Sequence, residues 1–180
     1  STLVDRIVTG YPREEAEALW QKLGYEDRLL DTAEPFGLWV IESHKDISAE
    51  LPLPECGLPV LFTDDQKPYK QRKVRILNGA HTSFVPAAFL CGHDTVLEAM
   101  RDPLIKHFMQ QTLYDEVIPT LTLPREDLLA FTEAVTGRFE NPFIKHALLS
   151  ICLNSVSKWR ARCLPSLLAF REREGRLPER

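Results

Sequence analysis

The chain from Lys67 onward carries helix signals almost without interruption, and this stretch constrains the fold more than any other feature of the sequence. Thr95 and Glu98 have the spacing of a capping box. Asp and Asn cap free amides at a helix N-terminus, and proline fits the first turn because no amide is needed there. Three further helix starts are therefore predicted, at Asp102-Pro103, Leu123-Pro124 and Asn141-Pro142. Residues 67–180 are expected to form a multi-helical domain.

Proline and glycine predict where these helices end. The second helix should stop before Pro119 and the third before Gly137, because neither residue continues a helix without cost. The last helical segment, about 155–174, contains Pro165, where we expect a kink or a break.

Residues 1–66 carry a different pattern, one of short strands and turns. Segments 3–8, 37–42 and 59–63 are apolar runs bounded by Gly, Pro and Asp, which is typical of strands. A helix is expected from Pro12 to Leu23, ended by Gly24. Two or three strands are few for an independent sheet. The expected fold is therefore mainly α. A multi-helical substrate domain, truncated at its C-terminal end, follows a small α/β segment that is the tail of a nucleotide-binding domain preceding residue 1.

The composition is that of a globular protein that binds neither nucleic acid nor membranes. The 180 residues are 44% hydrophobic and 27% charged, and the net charge of −4 leaves no dominant basic surface. No apolar run reaches the length of a membrane span. The four cysteines include no Cys-x-x-Cys pair, which predicts reduced, mostly buried thiols in a cytoplasmic protein. The five histidines form no ligand cluster, so no metal site is expected.

Segment 73–82 holds the main candidate for chemistry. Lys73, Asn78 and His81 follow one another at i, i+5 and i+8, which on an α-helix places them at roughly 0°, 140° and 80° around the axis. One side of the helix then carries a group that moves a proton, an amide that donates to an oxyanion, and an orienting ring. These groups are needed to remove a proton from a sugar alcohol while its carbon gives up a hydride. The three residues are the predicted catalytic residues.

A purely structural interpretation of the same residues stays open. Lys73 then belongs to a solvated basic stripe, Asn78-Gly79 ends the helix, and His81 is a core histidine with a backbone partner. Against it, Gly79 lies between two apolar pairs, where a helical glycine costs about 1 kcal/mol relative to alanine. Such a cost is typical of a position that a ligand or another backbone approaches closely.

A second candidate set surrounds the predicted helix start at Asn141-Pro142. Arg138, Lys145 and His146 bring three donors to one helix N-terminus, which is a natural place for an anion. They are the predicted substrate-binding residues. The alternative is a surface turn with solvated charges.

Three motifs together carry a resemblance to a known family. They are Val4-Asp5-Arg6-Ile7, the Lys-x-x-x-x-Asn-x-x-His pattern of Lys73, Asn78 and His81, and the segment Arg138-Phe139-Glu140-Asn141-Pro142. On these motifs the chain resembles the mannitol dehydrogenase family of polyol-specific long-chain dehydrogenases over essentially its whole length. Within that family, residues 1–12 and 77–82 look like the branch that reduces tagaturonate.

The resemblance implies NAD-dependent interconversion of D-altronate and D-tagaturonate in hexuronate breakdown, without a metal. By analogy Lys73 is the general acid/base, Asn78 polarises the carbonyl and His81 helps to orient a sugar acid substrate. The chain has no Gly-x-Gly-x-x-Gly turn, so NAD is expected to bind to the preceding domain, and the 180 residues alone are expected to be inactive.

Two alternatives remain open at this point. A fructuronate reductase or a mannitol-type polyol dehydrogenase keeps the reaction class and changes the substrate. A helical binding module without chemistry is the alternative from another class, with Lys67, Lys70 and Lys73 contacting phosphates. The acidic net charge disfavours it. The sequence predicts no oligomeric state.

Overall fold

The computed structural model describes all 180 residues except the side chain of Thr9. Its contacts divide the chain into two compact units, Ser1–Gln66 and Lys67–Arg180. The first unit is a small sheet structure with one regular α-helix, and the second is mainly helical. The predicted fold class, mainly α with a small α/β segment, is confirmed.

A three-stranded sheet organises the first unit. In chain order its elements are β1 (Thr2–Asp5), β2 (Val8–Gly10), α1 (Ala16–Leu23), β3 (Thr32–Ala33), β4 (Leu38–Glu42), a 3₁₀ turn (Pro54–Cys56) and β5 (Val60–Thr63). The central strand β4 pairs antiparallel with β1 and parallel with β5. Its residues Val40 and Ile41 are buried, as a central position requires. The short strands β2 and β3 form a separate antiparallel pair.

Two expectations for this unit were wrong in detail. The single strand predicted at 3–8 is interrupted, because the Ile7 amide donates to the Glu34 carboxylate at 2.6 Å and so leaves the backbone ladder. Arg6 donates to the Phe36 carbonyl at 2.9 Å at the same point. Helix α1 begins at Ala16 rather than Pro12, since residues 13–15 form a turn, and it ends at Gly24 as predicted, with φ +79°.

The second unit contains eight α-helices among the residues the structure describes. They are α2 (Lys67–Arg72), α3 (Gly79–Leu90), α4 (Val96–Arg101), α5 (Pro103–Gln111), α6 (Arg125–Phe139), α7 (Leu148–Cys152), α8 (Ser155–Arg162) and α9 (Leu164–Glu174). Two π-helical segments extend them, π1 (Lys73–Asn78) and π2 (Thr112–Val117), and a 3₁₀ turn (Ile118–Thr120) follows π2. The dihedral angles of Arg72, Asn78 and Gly79 are all right-handed helical, so α2, π1 and α3 run as one rod.

Helix α3 forms the centre of this unit. Seven of its twelve residues are buried, including Phe84, Val85 and Ala88 at 0% exposure. Helices α5, α7 and α8 pack around it. A helix covered on most sides holds its side chains in fixed positions, which suits the residues of a site.

Most of the capping predictions were right. Thr95 and Glu98 form the capping box, and Asp102 accepts hydrogen bonds from the amides of Leu104 and Ile105. The helical run after Asp102 stops near Pro119, and the last segment breaks at Cys163, two residues before Pro165.

Two predictions around residue 140 were wrong. Helix α6 passes through Gly137 to Phe139, because burial of Val135 and Phe139 in the core outweighs the low propensity of glycine. No helix begins at Asn141-Pro142. The Asn141 side chain instead accepts a hydrogen bond from the Phe143 amide in a turn, and the next helix starts at Leu148.

The cysteines are only partly as expected. All four are free thiols, but Cys56 and Cys91 are exposed, contrary to the prediction of mostly buried thiols. Cys56 ends the 3₁₀ turn and Cys91 caps the end of α3, and both positions face outward. Within the described residues, no helix is both long and apolar enough to cross a membrane, and no group of three potential metal ligands occurs.

Candidate active site

The π-helical turn π1 carries the first two predicted catalytic residues. Lys73 opens it and Asn78 closes it, and both side chains are half-buried. Hydrogen bonds of a π-helix join residues five apart, so Lys73 and Asn78 lie one turn from each other along the same side. This corrects the separation of about 140° that an α-helix would impose.

The end of α8 contacts this turn at Gly79. A β-carbon built on it would lie 3.4 Å from the Val74 carbonyl oxygen and 3.5 Å from the Arg162 carbonyl oxygen. The Cys163 thiol donates to the Gly79 carbonyl at 3.6 Å. The end of α8 therefore contacts this turn at Gly79, at distances that a β-carbon would meet as ordinary van der Waals contacts.

The third predicted catalytic residue, His81, lies in a cluster of aromatic rings. Its side chain is 6% exposed and stacks on Phe139, with ring centroids 4.1 Å apart and planes inclined by 29°. The His146 ring stands nearly perpendicular to it at 5.3 Å. His81 Nε2 is buried and has no hydrogen-bond partner among the described residues. The motif on α3 and the segment after α6 therefore meet at this ring.

Burial keeps His81 neutral. Burial is the main cause that lowers the pKa of the imidazole to about 3, and repulsion from His146, Arg162, Arg138 and Lys158 contributes to the same shift. Burial also lowers the pKa of His146, with a smaller contribution from Lys158. A neutral ring retains one nitrogen that accepts and one that donates, so His81 can act as a hydrogen-bonding group at physiological pH.

The pKa of His81 predicts how the stability of the 180-residue chain depends on pH. Between about pH 6.5 and 3 the unfolded chain binds a proton that the folded chain does not, so stability is complete above pH 6.5 and falls on acidification. We expect His81→Phe to reduce the slope of the unfolding free energy against pH by about 1 kcal/mol per pH unit below 6.5. Urea unfolding at several pH values measures it.

The matched control for this measurement is His107→Gln, which replaces an exposed histidine on α5. It should leave the slope unchanged. An unaltered slope in His81→Phe would contradict the prediction.

The predicted substrate-binding residues divide into two groups. Arg138 is 8% exposed near the end of α6, and His146 is half-buried against the His81 ring. Lys145 is exposed. The expected helix N-terminus at residues 141–142 is absent, so side chains and not a helix dipole supply the positive potential here.

Known proteins resemble this chain in both sequence and fold. The family model for the mannitol dehydrogenase C-terminal domain matches residues 65–179. The chain belongs to the mannitol dehydrogenase family. The match covers the second unit, Lys67–Arg180, except for its last residue.

Curated relatives match the whole chain. Proteins named altronate oxidoreductase from Klebsiella pneumoniae and Escherichia coli are each 58% identical over 180 residues, and one from an Enterobacter species is 57% identical. Each match covers 100% of this chain and 37% of the relative, so the chain spans little more than a third of their length.

Two solved structures of dehydrogenases share the fold. A D-sorbitol dehydrogenase in substrate-free form superposes with a TM-score of 0.84 at 27% identity, over 97% of this chain and 36% of that one. A mannitol 2-dehydrogenase of Pseudomonas fluorescens, in ternary complex with NAD and D-mannitol, superposes with a TM-score of 0.77 at 28% identity, over 98% and 35%.

Sequence reasoning missed the contribution of α8 to this family member's site. Lys158 and Arg162 lie near enough to influence the charge of His81, and the Lys158 ammonium donates to the Ile151 carbonyl at 2.8 Å. Both residues are far from His81 in sequence. The one available signal was Gly79, a glycine in an apolar helical segment, which the end of α8 contacts.

Proposed function

We propose that the chain is part of an NAD-dependent oxidoreductase that interconverts D-altronate and D-tagaturonate. The observation that carries this is the meeting of two family motifs at the neutral, buried ring of His81. The 58% identity to proteins named altronate oxidoreductase supports this substrate pair. Because those relatives are longer, the activity is proposed for the whole protein that contains this chain.

Lys73, Asn78 and His81, on π1 and α3, would each have a separate role in the reaction. In the direction of oxidation, Lys73 Nζ takes the proton from the reacting hydroxyl, and in the reverse direction it returns a proton to the oxygen. The Asn78 amide donates a hydrogen bond to that oxygen as it gains charge. His81, held by the Phe139 ring, hydrogen-bonds the substrate through a nitrogen that stays uncharged.

The carboxylate of the sugar acid would lie among Arg138, Lys145 and His146. Arg138 is a buried guanidinium, which suits a planar carboxylate, and His146 offers a ring nitrogen to a neighbouring hydroxyl. Lys145 stands on the exposed side, where it would act on the carboxylate as the substrate arrives.

If Lys145 only helps to bind the carboxylate, its replacement should change KM and leave kcat unchanged. Replacing Lys145 by glutamine in the whole protein should raise KM for tagaturonate by about tenfold and leave kcat nearly unchanged, because a charged hydrogen bond to the substrate is lost. Steady-state kinetics with NADH measures it. Lys22→Gln, on exposed α1, is the control and should change neither constant. An unchanged KM would remove Lys145 from the site.

The described residues do not fit the cofactor. Gly10 ends β2 and the residues between β2 and α1 contain no glycine, and no glycine-rich turn leads from a strand into a helix within the part of the chain that the structure describes. We propose that NAD, which would accept or supply the hydride, is held by other residues of the whole protein. The 180 residues alone are expected to show no turnover.

The decisive experiment offers tagaturonate, fructuronate and fructose separately to the whole protein with NADH. A kcat/KM for tagaturonate at least about 100-fold above the other two supports the proposal. A preference for fructuronate would leave the proposed roles of Lys73 and Asn78 unchanged and would show that the proposed substrate is wrong. The absence of NADH oxidation with all three would favour the alternative of a helical binding module.

A further inference from the structure

A cavity of about 380 Å³ lies in the second unit. The rod formed by α2, π1 and α3 supplies one wall of the cavity, with residues 75, 79, 80, 82, 83 and 86. Lys73, Asn78 and His81 do not line the cavity. The remaining walls come from α5, π2, α8, α9 and the residues after α9. This volume falls within the range that small-molecule sites occupy.

The charges that line the cavity do not balance. Three guanidinium groups, those of Arg75, Arg162 and Arg180, face a single carboxylate, that of Glu116. Glu116 accepts hydrogen bonds from the amides of residues 179 and 180 and pairs with Arg180. Neither Arg75 nor Arg162 has a carboxylate partner among the described residues. Burial lowers the pKa of Arg75, which is the cost of desolvating an uncompensated cation. A bound anion would compensate both guanidinium groups.

The cavity also contains polar groups suited to hydroxyls. Ser166 is 6% exposed, and its Oγ is buried without a hydrogen-bond partner among the described residues. The Thr82 hydroxyl accepts one bond from Arg162 at 3.3 Å, and its proton goes to the Asn78 carbonyl at 2.8 Å. Aromatic side chains of Phe108, Trp159 and Phe170 form apolar walls. A buried hydroxyl without a partner costs free energy unless a ligand completes it.

Both π-helical segments border this cavity. Arg75 belongs to π1, and Thr112, Leu113, Glu116 and Val117 belong to π2. Such wide turns are uncommon and occur frequently at functional sites.

We propose that the cavity binds a small hydroxylated anion, whose carboxylate or phosphate group is held by Arg75 and Arg162 and one of whose hydroxyls pairs with Ser166. The lining includes none of the residues proposed above to contact the substrate, although Arg162 also lies near His81. The proposal does not depend on the function proposed above.

Calorimetric titration of the 180-residue chain tests the proposal, with D-gluconate and D-glucose 6-phosphate as the two anionic probes and D-glucose as the neutral one. One of the two anions should bind with a Kd of about 1 mM or below, and glucose should not bind in that range. The anion that binds more tightly identifies the source as carboxylate or phosphate. Failure of both anions to bind below about 10 mM would overturn the proposal.

Two arginine variants locate the bound probe. Arg75→Gln and Arg162→Gln should each weaken binding by about tenfold or more, because each removes a charged hydrogen bond. Arg171→Gln removes an exposed arginine of α9 that does not line the cavity, and it should leave Kd unchanged. Equal weakening in Arg171→Gln would indicate nonspecific attraction and refute the site. Gluconate binding lost in Lys145→Gln but kept in Arg75→Gln would place the probe in the candidate active site and refute it too.

Ser166→Ala keeps the proposal testable if an arginine variant fails to fold. Removing a buried hydroxyl without a partner should not lower the unfolding temperature of the ligand-free chain. It should reduce the rise in unfolding temperature that the bound anion causes. A ligand-free Ser166→Ala chain that is clearly less stable would show that the hydroxyl serves the fold, and the proposal would fall.

Discussion

Replacing Lys73 by methionine in the whole protein is expected to lower kcat by about 10³-fold while the protein stays folded. Methionine keeps the unbranched stem that half-buries this side chain, so the packing of π1 is preserved. The amine that would take and return the proton is lost. Stopped-flow or steady-state NADH oxidation gives kcat, and circular dichroism checks the fold.

Lys70→Met is the matched control for this variant. Lys70 lies on α2, less than one turn before Lys73, and is exposed. It should retain the activity of the unmodified protein. A kcat for Lys73→Met within tenfold of that control would disprove the role of Lys73 as general acid/base. The pH dependence of kcat offers a second readout, since the limb governed by the lysine should disappear with it.

The second large effect concerns stability. Phe139→Ala should lower the free energy of unfolding of the 180-residue chain by about 3–5 kcal/mol, because it opens a cavity beside His81 and Phe84. Phe139 is 3% exposed, and its ring centroid lies 4.1 Å from that of His81 and 5.8 Å from that of Phe84. Urea unfolding followed by circular dichroism measures the change.

Phe143→Ala removes the same side chain four residues later, where it is 92% exposed. This control should change the unfolding free energy by less than about 0.5 kcal/mol. A loss below about 1 kcal/mol for Phe139→Ala would show that the ring cluster around His81 is not part of the core.

Local chemistry explains which parts of the fold were predictable. The caps at Thr95 and Asp102 depend on bonds between neighbouring residues, so their spacing alone predicts them. Gly137 and Asn141-Pro142 carry equally clear local signals, yet α6 continues and no helix starts. There the burial of Phe139, a contact between distant parts of the chain, decides the outcome.

The same difference between local and long-range contacts decides which parts of the candidate site the sequence predicts. The sequence predicts Lys73, Asn78 and His81 as a group, because all three lie on one helical segment and match a family pattern. It does not predict that Lys158 and Arg162 influence the charge of His81, since that depends on how α8 packs on α3. Nor does it predict π1, because a π turn follows from packing along the whole rod and has no spacing signature of its own.

The turn at π1 is the place in this rod where the chain length can change with the least disturbance. A π turn contains one residue more than an α turn, so removing one residue from 73–78 would let the rod continue as an ordinary α-helix. Because the extra residue is taken up within a single turn, the side chains of α2 and α3 would keep nearly the same directions relative to one another. Inside α3, removing one residue would instead rotate every side chain on one side of the deletion by about 100° relative to those on the other. A deletion of one codon is therefore expected to damage the fold less within 73–78 than within 79–90, and comparing the unfolding temperatures of two such variants measures the difference.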